Sequence, residues 1–291
     1  MSPPSPDVVQ AFGLEGVPEP LGGGRGLCYT VGDIVFKPSE DDNEAKWIAE
    51  LVTRLLQRSP TLYRLARPLA IASQPGVFVY RGWTAASFMT GTPEASYEEK
   101  LRTSRAFHAD LNNVVENKPT ESARTPNRWN EADLVTWGEK RLDEVDCVNE
   151  QILAHFQPLL DRLGRAQQPL PAGVDFQLIH GDLNGNVLFD RDAGAPPAII
   201  DLTFYWRPAE YAAAIIVADG LSWDGQGPGL VELYGTDEMR LQLLVRAMYW
   251  RCLTFAIDTD MEWVQRHLPN ADYARAVGVV CSFPDRPQQC E

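Results

Sequence analysis

The segment from Phe176 to Phe189, followed by Pro197 to Asp201, constrains what this chain can fold into more than any other. Apolar residues at Leu178, Ile179, Val187, Leu188 and Phe189 bracket a short polar loop running from His180 to Asn186. Ala198, Ile199 and Ile200 then read as a second buried strand that ends in Asp201. Strands of this kind release polar side chains only where they stop. Asp182, Asn186 and Asp201 therefore stand on adjoining strand ends, an arrangement suited to magnesium and a nucleotide.

Phosphoryl transfer asks few groups of a protein. One must orient the incoming hydroxyl and accept its proton, and oxygen ligands must hold magnesium against the phosphates. Asp182, Asn186 and Asp201 supply that set. The run His180-Gly181-Asp182-Leu183, followed closely by Asn186 and then by Ile200-Asp201, resembles the catalytic signature of the aminoglycoside phosphotransferase and choline kinase superfamily. The resemblance implies Asp182 as catalytic base, Asn186 as a metal ligand and Asp201 as the main metal ligand, with His180 holding the loop. It also implies an α+β, two-lobed protein-kinase-like fold, with a small antiparallel-sheet N-lobe and a larger, mainly helical C-lobe.

The motif departs from the family's pattern in identifiable places. Asp182 and Asn186 stand one residue closer than is usual there, which makes Asn184 a rival ligand. Asp201 is followed by Leu202-Thr203 in place of Phe-Gly, and Trp206 to Tyr211 occupies the stretch where many relatives carry a second aspartate. The support of the loop must therefore differ. Phe204 to Pro208, together with Trp129 and Trp137-Gly138-Glu139, resembles a branch of the same superfamily without an assigned substrate.

Upstream, Gly22, Gly23, Gly24 and Gly26 precede an apolar stretch from Leu27 to Val31, a Gly32-Asp33 turn, and Ile34-Val35-Phe36-Lys37. The order is glycine loop, hairpin, then a lysine on a buried strand, placed to reach nucleotide phosphates. Asp41, Asp42 and Asn43 offer a cap for a helix starting near Glu44, with Trp47, Ile48, Leu51 and Leu55 at helical spacing. Glu44 is the first choice for the lysine's partner and Glu50 the second. Arg67 to Ile71 and Val77 to Tyr80 read as a further hairpin. Residues 83–86 read as the hinge, where the family resemblance places the adenine edge against the backbone and Trp83 beside the pocket. The expected division is an N-lobe over 1–82, the hinge over 83–86, a C-lobe over 87–281 and a frayed tail over 282–291.

In the C-lobe, helices are expected over Tyr97 to Val115, Glu131 to Leu163, Tyr211 to Ala218, Leu230 to Tyr234 and Met239 to Ile257, with a polar surface loop from Glu116 to Pro126. The longest apolar run near the motif, Tyr211 to Ala218, is far shorter than the roughly 20 residues needed to cross a bilayer. The Met-Ser-Pro-Pro start has neither a basic nor an apolar character, which points to the cytoplasm. The five cysteines are scattered and odd in number, against a disulfide framework or a structural zinc site. A formal charge of −14 disfavours nucleic acid and anionic lipid as partners; it would welcome a cationic substrate, or serve solubility alone.

The resulting expectation is an ATP- and Mg2+-dependent kinase acting on a hydroxyl of a small-molecule acceptor. Asp219, Asp224 and Asp258 are candidates to meet an amine on that acceptor. A nucleotide-binding scaffold without catalysis, and a transferase of the same fold adding AMP, are the alternatives.

Overall fold

The computed structural model describes residues 2–22, 26–112, 114–118 and 127–283. Gly23 and Gly24 of the glycine loop, residues 119–126 of the expected polar loop and residues 284–291 of the expected tail lie outside the described residues. The chain divides into two compact units: Met1–Ala95 with Ala106–Thr125 and Gly185–Phe204, and Ser96–Arg105 with Pro126–Asn184 and Tyr205–Glu291.

The first unit opens with α1 (Pro6–Ala11), β1 (Glu19–Pro20), β2 (Tyr29–Val31), β3 (Ile34–Pro38), α2 (Asp42–Gln57), β4 (Arg64–Leu65), β5 (Val79–Tyr80) and β6 (Trp83–Ser87). A five-stranded antiparallel sheet has the order β1-β2-β3-β6-β5. The glycine loop connects β1 to β2, and its ends are tied by the Leu21 N–H donating to the Cys28 carbonyl at 2.9 Å. Between β2 and β3 the two-residue turn places Gly32 at φ 57°, a conformation that costs glycine nothing. Along β3 the side chains alternate. Phe36 is fully buried among Val8, Val9, Phe12, Val31, Ile71, Trp83 and Ala85, so Lys37 leaves on the other face.

Helix α1, absent from the sequence reading, supplies Val8, Val9 and Phe12 to this core, with Phe12 edge-on to Phe36 at 5.6 Å. Asp41 caps α2 as expected, accepting from the Asn43 and Glu44 N–H groups at 2.8 and 3.1 Å. Residues 83–86, read as a hinge, lie within β6, where Trp83 to Ser87 pair with Pro38 to Ile34 of β3. The hairpin expected between Arg67–Ile71 and Val77–Tyr80 takes a different form. Val79–Tyr80 pairs with β6 instead, turning at Arg81 and Gly82, both at positive φ. The 67–71 segment contains Pro68, which has no N–H to donate, and forms isolated bridges from Pro68 to Ala86 and from Ile71 to Gln74, with the Ile71 N–H donating to the Val77 carbonyl.

Onward, the chain forms α3 (Tyr97–Asn112), α4 (Arg128–Thr136), α5 (Glu150–Ala166), β7 (Gln177–His180), β8 (Val187–Leu188), β9 (Ala198–Ile199) and β10 (Phe204–Arg207). It ends with α6 (Ala209–Ser222), α7 (Pro228–Tyr234), α8 (Glu238–Ile257), α9 (Met261–His267) and α10 (Tyr273–Val280). The helical stretch expected over 131–163 forms as α4 and α5, separated where Gly138 takes φ 71° and a polar run follows. In the first unit β9 lies between β4, parallel, and β8, antiparallel. In the second, β7 pairs with β10, and α8 packs against α4, α5 and α6. Helix α6 is buried from Tyr211 to Ser222, which accounts for its all-apolar run. Among the described residues no helix is long and apolar enough to cross a membrane. The result is an α+β fold with an N-terminal antiparallel sheet and a largely helical C-terminal region.

Candidate active site

In the first unit the expected metal ligands converge. The ladder pairs Val187 with Ile199 and Leu188 with Ala198, and the Ile200 N–H donates to the Asn186 carbonyl at 3.0 Å. Asn186 and Asp201 are thereby brought to the same end of the β8–β9 pair. Asp201 sits at φ 51°, in the left-handed region that a non-glycine residue rarely occupies. Such a conformation costs of order 1–3 kcal/mol and persists where surrounding structure requires it, often at functional sites.

The Lys37 ammonium pairs with the Asp201 carboxylate. Desolvation pulls the lysine's pKa down, but the Asp201 charge and hydrogen bond outweigh it and hold it above its ordinary value. Both side chains keep about half of their surface in water, 53% and 48%, so this pair adds little to stability and is open to an incoming ligand. The ion pair that Lys37 makes is with Asp201, not with Glu44, which occupies the first turn of α2. Glu50, the second choice, sits at 3.9 Å from Lys46 one helical turn away.

Of the glycine loop, Gly22 has open space where a side chain would stand, and Gly26 takes φ 65°. Trp83, expected beside the nucleotide, is 8% exposed, lies in the core of the first unit and stands edge-on to Tyr29 at 6.0 Å. Its packing accounts for it. Cys28 was not singled out from sequence. The β2–β3 register sets it across from Lys37, and burial raises its thiol pKa while Lys37 and Asp201 pull in opposite directions.

In the second unit, β7 delivers His180 fully buried, and its Nδ1 accepts the Asp182 N–H at 3.3 Å. Gly181 is required by packing: a Cβ there would lie 2.5 Å from the Tyr205 ring. Tyr205 in turn stands edge-on to Trp250 at 5.6 Å. An aromatic ring is thus packed on the loop glycine.

Asp182 accepts a hydrogen bond from the Arg251 guanidinium at 3.2 Å and remains 42% exposed. Arg251 is also bonded through two nitrogens to Asp219, at 2.7 and 2.6 Å, and lies over the rings of Trp250 and Trp129. The rival amide, Asn184, has its Oδ1 bonded to the buried Lys100 ammonium at 2.9 Å. A metal cation at that oxygen would face a like charge, which favours Asn186 as the ligand.

None of the three acids considered for an amine is unpartnered. Asp219 holds Arg251, Asp224 accepts from the Tyr97 hydroxyl, and Asp258 is buried against Arg128. Arg251 and Lys100 were missed in the sequence as site residues. For Arg251 the available signal was a charged residue inside a helix otherwise reading as core, since such residues are almost never fully buried unless paired.

Among the described residues no cluster of three His, Cys, Asp or Glu is arranged to hold a metal. The donor set offered by Asp201 and Asn186, one carboxylate and one amide oxygen on neighbouring strand ends, is the small hard-oxygen set that magnesium takes when phosphates complete its shell. The residues therefore fit a magnesium nucleotide.

These residues stand on an α+β, kinase-like fold. The profile of the Phosphotransferase enzyme family matches residues 33–243, and the chain belongs to that family. Among solved structures it is similar to an aminoglycoside phosphotransferase from Alicyclobacillus acidocaldarius, with 13% identity, a TM-score of 0.53, and 98% of this chain and 96% of that one covered. The microcompartment-associated aminopropanol kinase gives 14% identity and a TM-score of 0.57, with 91% of each chain covered. Spectinomycin phosphotransferase, solved in complex with ADP and spectinomycin, gives 14% and 0.52, with 92% and 93% covered. At these identities the likeness is one of fold. No curated protein matches the chain.

Proposed function

We propose that this protein is an ATP- and magnesium-dependent phosphotransferase that phosphorylates a hydroxyl of a small molecule. The observation carrying the proposal is the first-unit cluster: Asn186 and Asp201 at one end of a strand pair, with the Lys37 ammonium on the Asp201 carboxylate. Asp201 and Asn186 hold magnesium, whose charge when bound neutralises that of the phosphates. Lys37, released from Asp201 by the nucleotide, binds phosphate oxygens, and Glu44 is the carboxylate proposed to steady it. Gly22, Gly23, Gly24 and Gly26 form the loop that covers the phosphates.

Asp182 orients the acceptor. Its carboxylate accepts a hydrogen bond from the acceptor hydroxyl and takes the proton as the oxygen bonds to the terminal phosphorus and ADP departs. Little covalent work is asked of the protein, so positioning and charge carry the rate. The fold similarity to kinases of aminopropanol and spectinomycin, and a net charge of −14, support a small, cationic acceptor. A cytoplasmic location, where ATP is at hand, belongs to the same proposal.

The test is ADP release from Mg-ATP across a library of amino alcohols, aminocyclitols and sugars, with product masses. The proposal expects acceptor-dependent ADP release, a phosphorylated product and loss of turnover in Asp182→Asn. The shortened spacing from Asp182 to Asn186 is the observation behind a second reading, a nucleotide-binding scaffold. ATP binding without turnover on any acceptor would establish that reading, and an adenylyl adduct would establish AMP transfer.

A further inference from the structure

One of the buried ion pairs of the second unit joins α6 to α8. Asp219 and Arg251 face each other there, each about 7% exposed in its side chain. Burying such a pair is costly, and apolar residues of similar volume often serve stability as well or better. The pair therefore calls for a role beyond joining two helices.

That role is indicated by the third bond. The nitrogen that Arg251 shares with Asp219 at 2.6 Å also reaches the Asp182 carboxylate at 3.2 Å. Asp219 grips the guanidinium through two nitrogens, and the Trp250 and Trp129 rings lie at 4.6 and 5.5 Å from its central carbon. Trp250 is itself anchored, its Nε1 donating to the Trp129 carbonyl at 2.9 Å. The planar fork thus has its orientation set on several sides, and one of its N–H groups is left for Asp182. Lysine could not reproduce this, because an ammonium is a point charge on a flexible stem.

We propose that Arg251, gripped by Asp219, is a positioning residue that fixes the direction of the Asp182 carboxylate toward the acceptor hydroxyl. The inference rests on the phosphotransferase reading for its chemistry, but its geometry can be tested separately. Burial pushes the Asp219 carboxyl up while Arg251 pulls it down.

Three variants test it: Arg251→Lys, Arg251→Met, and Arg251→Met combined with Asp219→Val. Arg251→Met alone leaves Asp219 buried without a counter-charge and should melt well below the wild type. The double variant should recover most of that loss. If the pair were merely structural, the double variant would recover kcat as well. The proposal expects kcat to stay about 10–100-fold down in both the double variant and Arg251→Lys, with KM for ATP within about twofold, because a carboxylate displaced by about an ångström loses on the order of a hundredfold. Crystal structures of wild type and double variant supply a readout independent of turnover, in which Asp182 should leave its wild-type rotamer. Wild-type kcat in a folded double variant, or an Asp182 side chain unmoved in its crystal structure, overturns the proposal. Should the wild type phosphorylate no acceptor, the phosphotransferase reading fails, and the position of Asp182 in the two structures still decides the positioning claim.

Discussion

Gly181→Ala is the substitution whose consequence can be worked most directly from the coordinates. The added methyl would stand 2.5 Å from both Cδ2 and Cε2 of Tyr205, whereas non-bonded carbons sit about 3.5–4.0 Å apart at their optimum. Relief requires a relative movement of about 1 Å. The ring has little freedom to give it, because Tyr205 is buried and wedged edge-on against Trp250 at 5.6 Å. Overpacking of this kind costs roughly 1–3 kcal/mol. At this chain size that corresponds to a Tm about 2–12 °C lower. Gly181 adjoins Asp182, so the movement that relieves the clash also shifts the proposed base, with a loss of about a hundredfold in turnover. The assay is a double-mutant cycle with Tyr205→Ala, read by thermal melting and by ADP release. Removing the ring should cost stability by itself but abolish most of the penalty of Gly181→Ala, giving a coupling of at least about 1 kcal/mol. Additive effects, or a Gly181→Ala protein that melts within a degree of the wild type, would refute the packing argument.

Other outcomes follow from the same structure. Lys37→Met should leave Tm nearly unchanged, since a half-exposed pair contributes about 0–1 kcal/mol, while weakening ATP binding about tenfold or more by calorimetry. Alkylation of Cys28, followed by peptide mass spectrometry, should slow when Mg-ATP is present, because that thiol lies across from Lys37, while the exposed Cys147 reacts at an unchanged rate. Asp237→Ala should cost about 1 kcal/mol by removing the cap on the Arg240 N–H at the start of α8. Burial works to raise the Asp237 pKa, but Arg240 and the backbone amides outweigh it and hold it below 3.8. Its stabilisation is therefore present above that value and lost as pH falls through the folded-state pKa, so the Tm gap between wild type and Asp237→Ala should close in acid.

The parts of the site carried by backbone register were legible in the sequence. Asn186 and Asp201 flank apolar runs whose pairing leaves no other place for them, and Lys37 follows Phe36 by one residue on a strand, so burying one exposes the other. Trp83 shows where such reading runs short. An aromatic next to a functional strand suits a pocket or a core equally, and only the β3–β6 register, with Phe36 opposite Ala85, settles its face toward the core. Short helix α1 spans six residues, beginning at Pro6 after Pro3 and Pro4, and offers too little periodicity to be recognised. The grip of Arg251 on Asp219 and Asp182 joins residues 32 and 69 positions apart, through side chains alone. The one local sign is a charge at a position whose spacing matches the core positions of α8, and it does not say which residues Arg251 meets.

Calorimetric titration of ATP, with and without magnesium, into wild type, Asp182→Asn and Asp201→Ala addresses the assignment of Asp201 most directly. Magnesium-dependent binding should appear in wild type and Asp182→Asn, with about 2.7 kcal/mol of stabilisation at a hundredfold excess over Kd, and should be largely lost in Asp201→Ala. Binding of Mg-ATP by Asp201→Ala with wild-type affinity, or wild-type binding indifferent to magnesium, would contradict it.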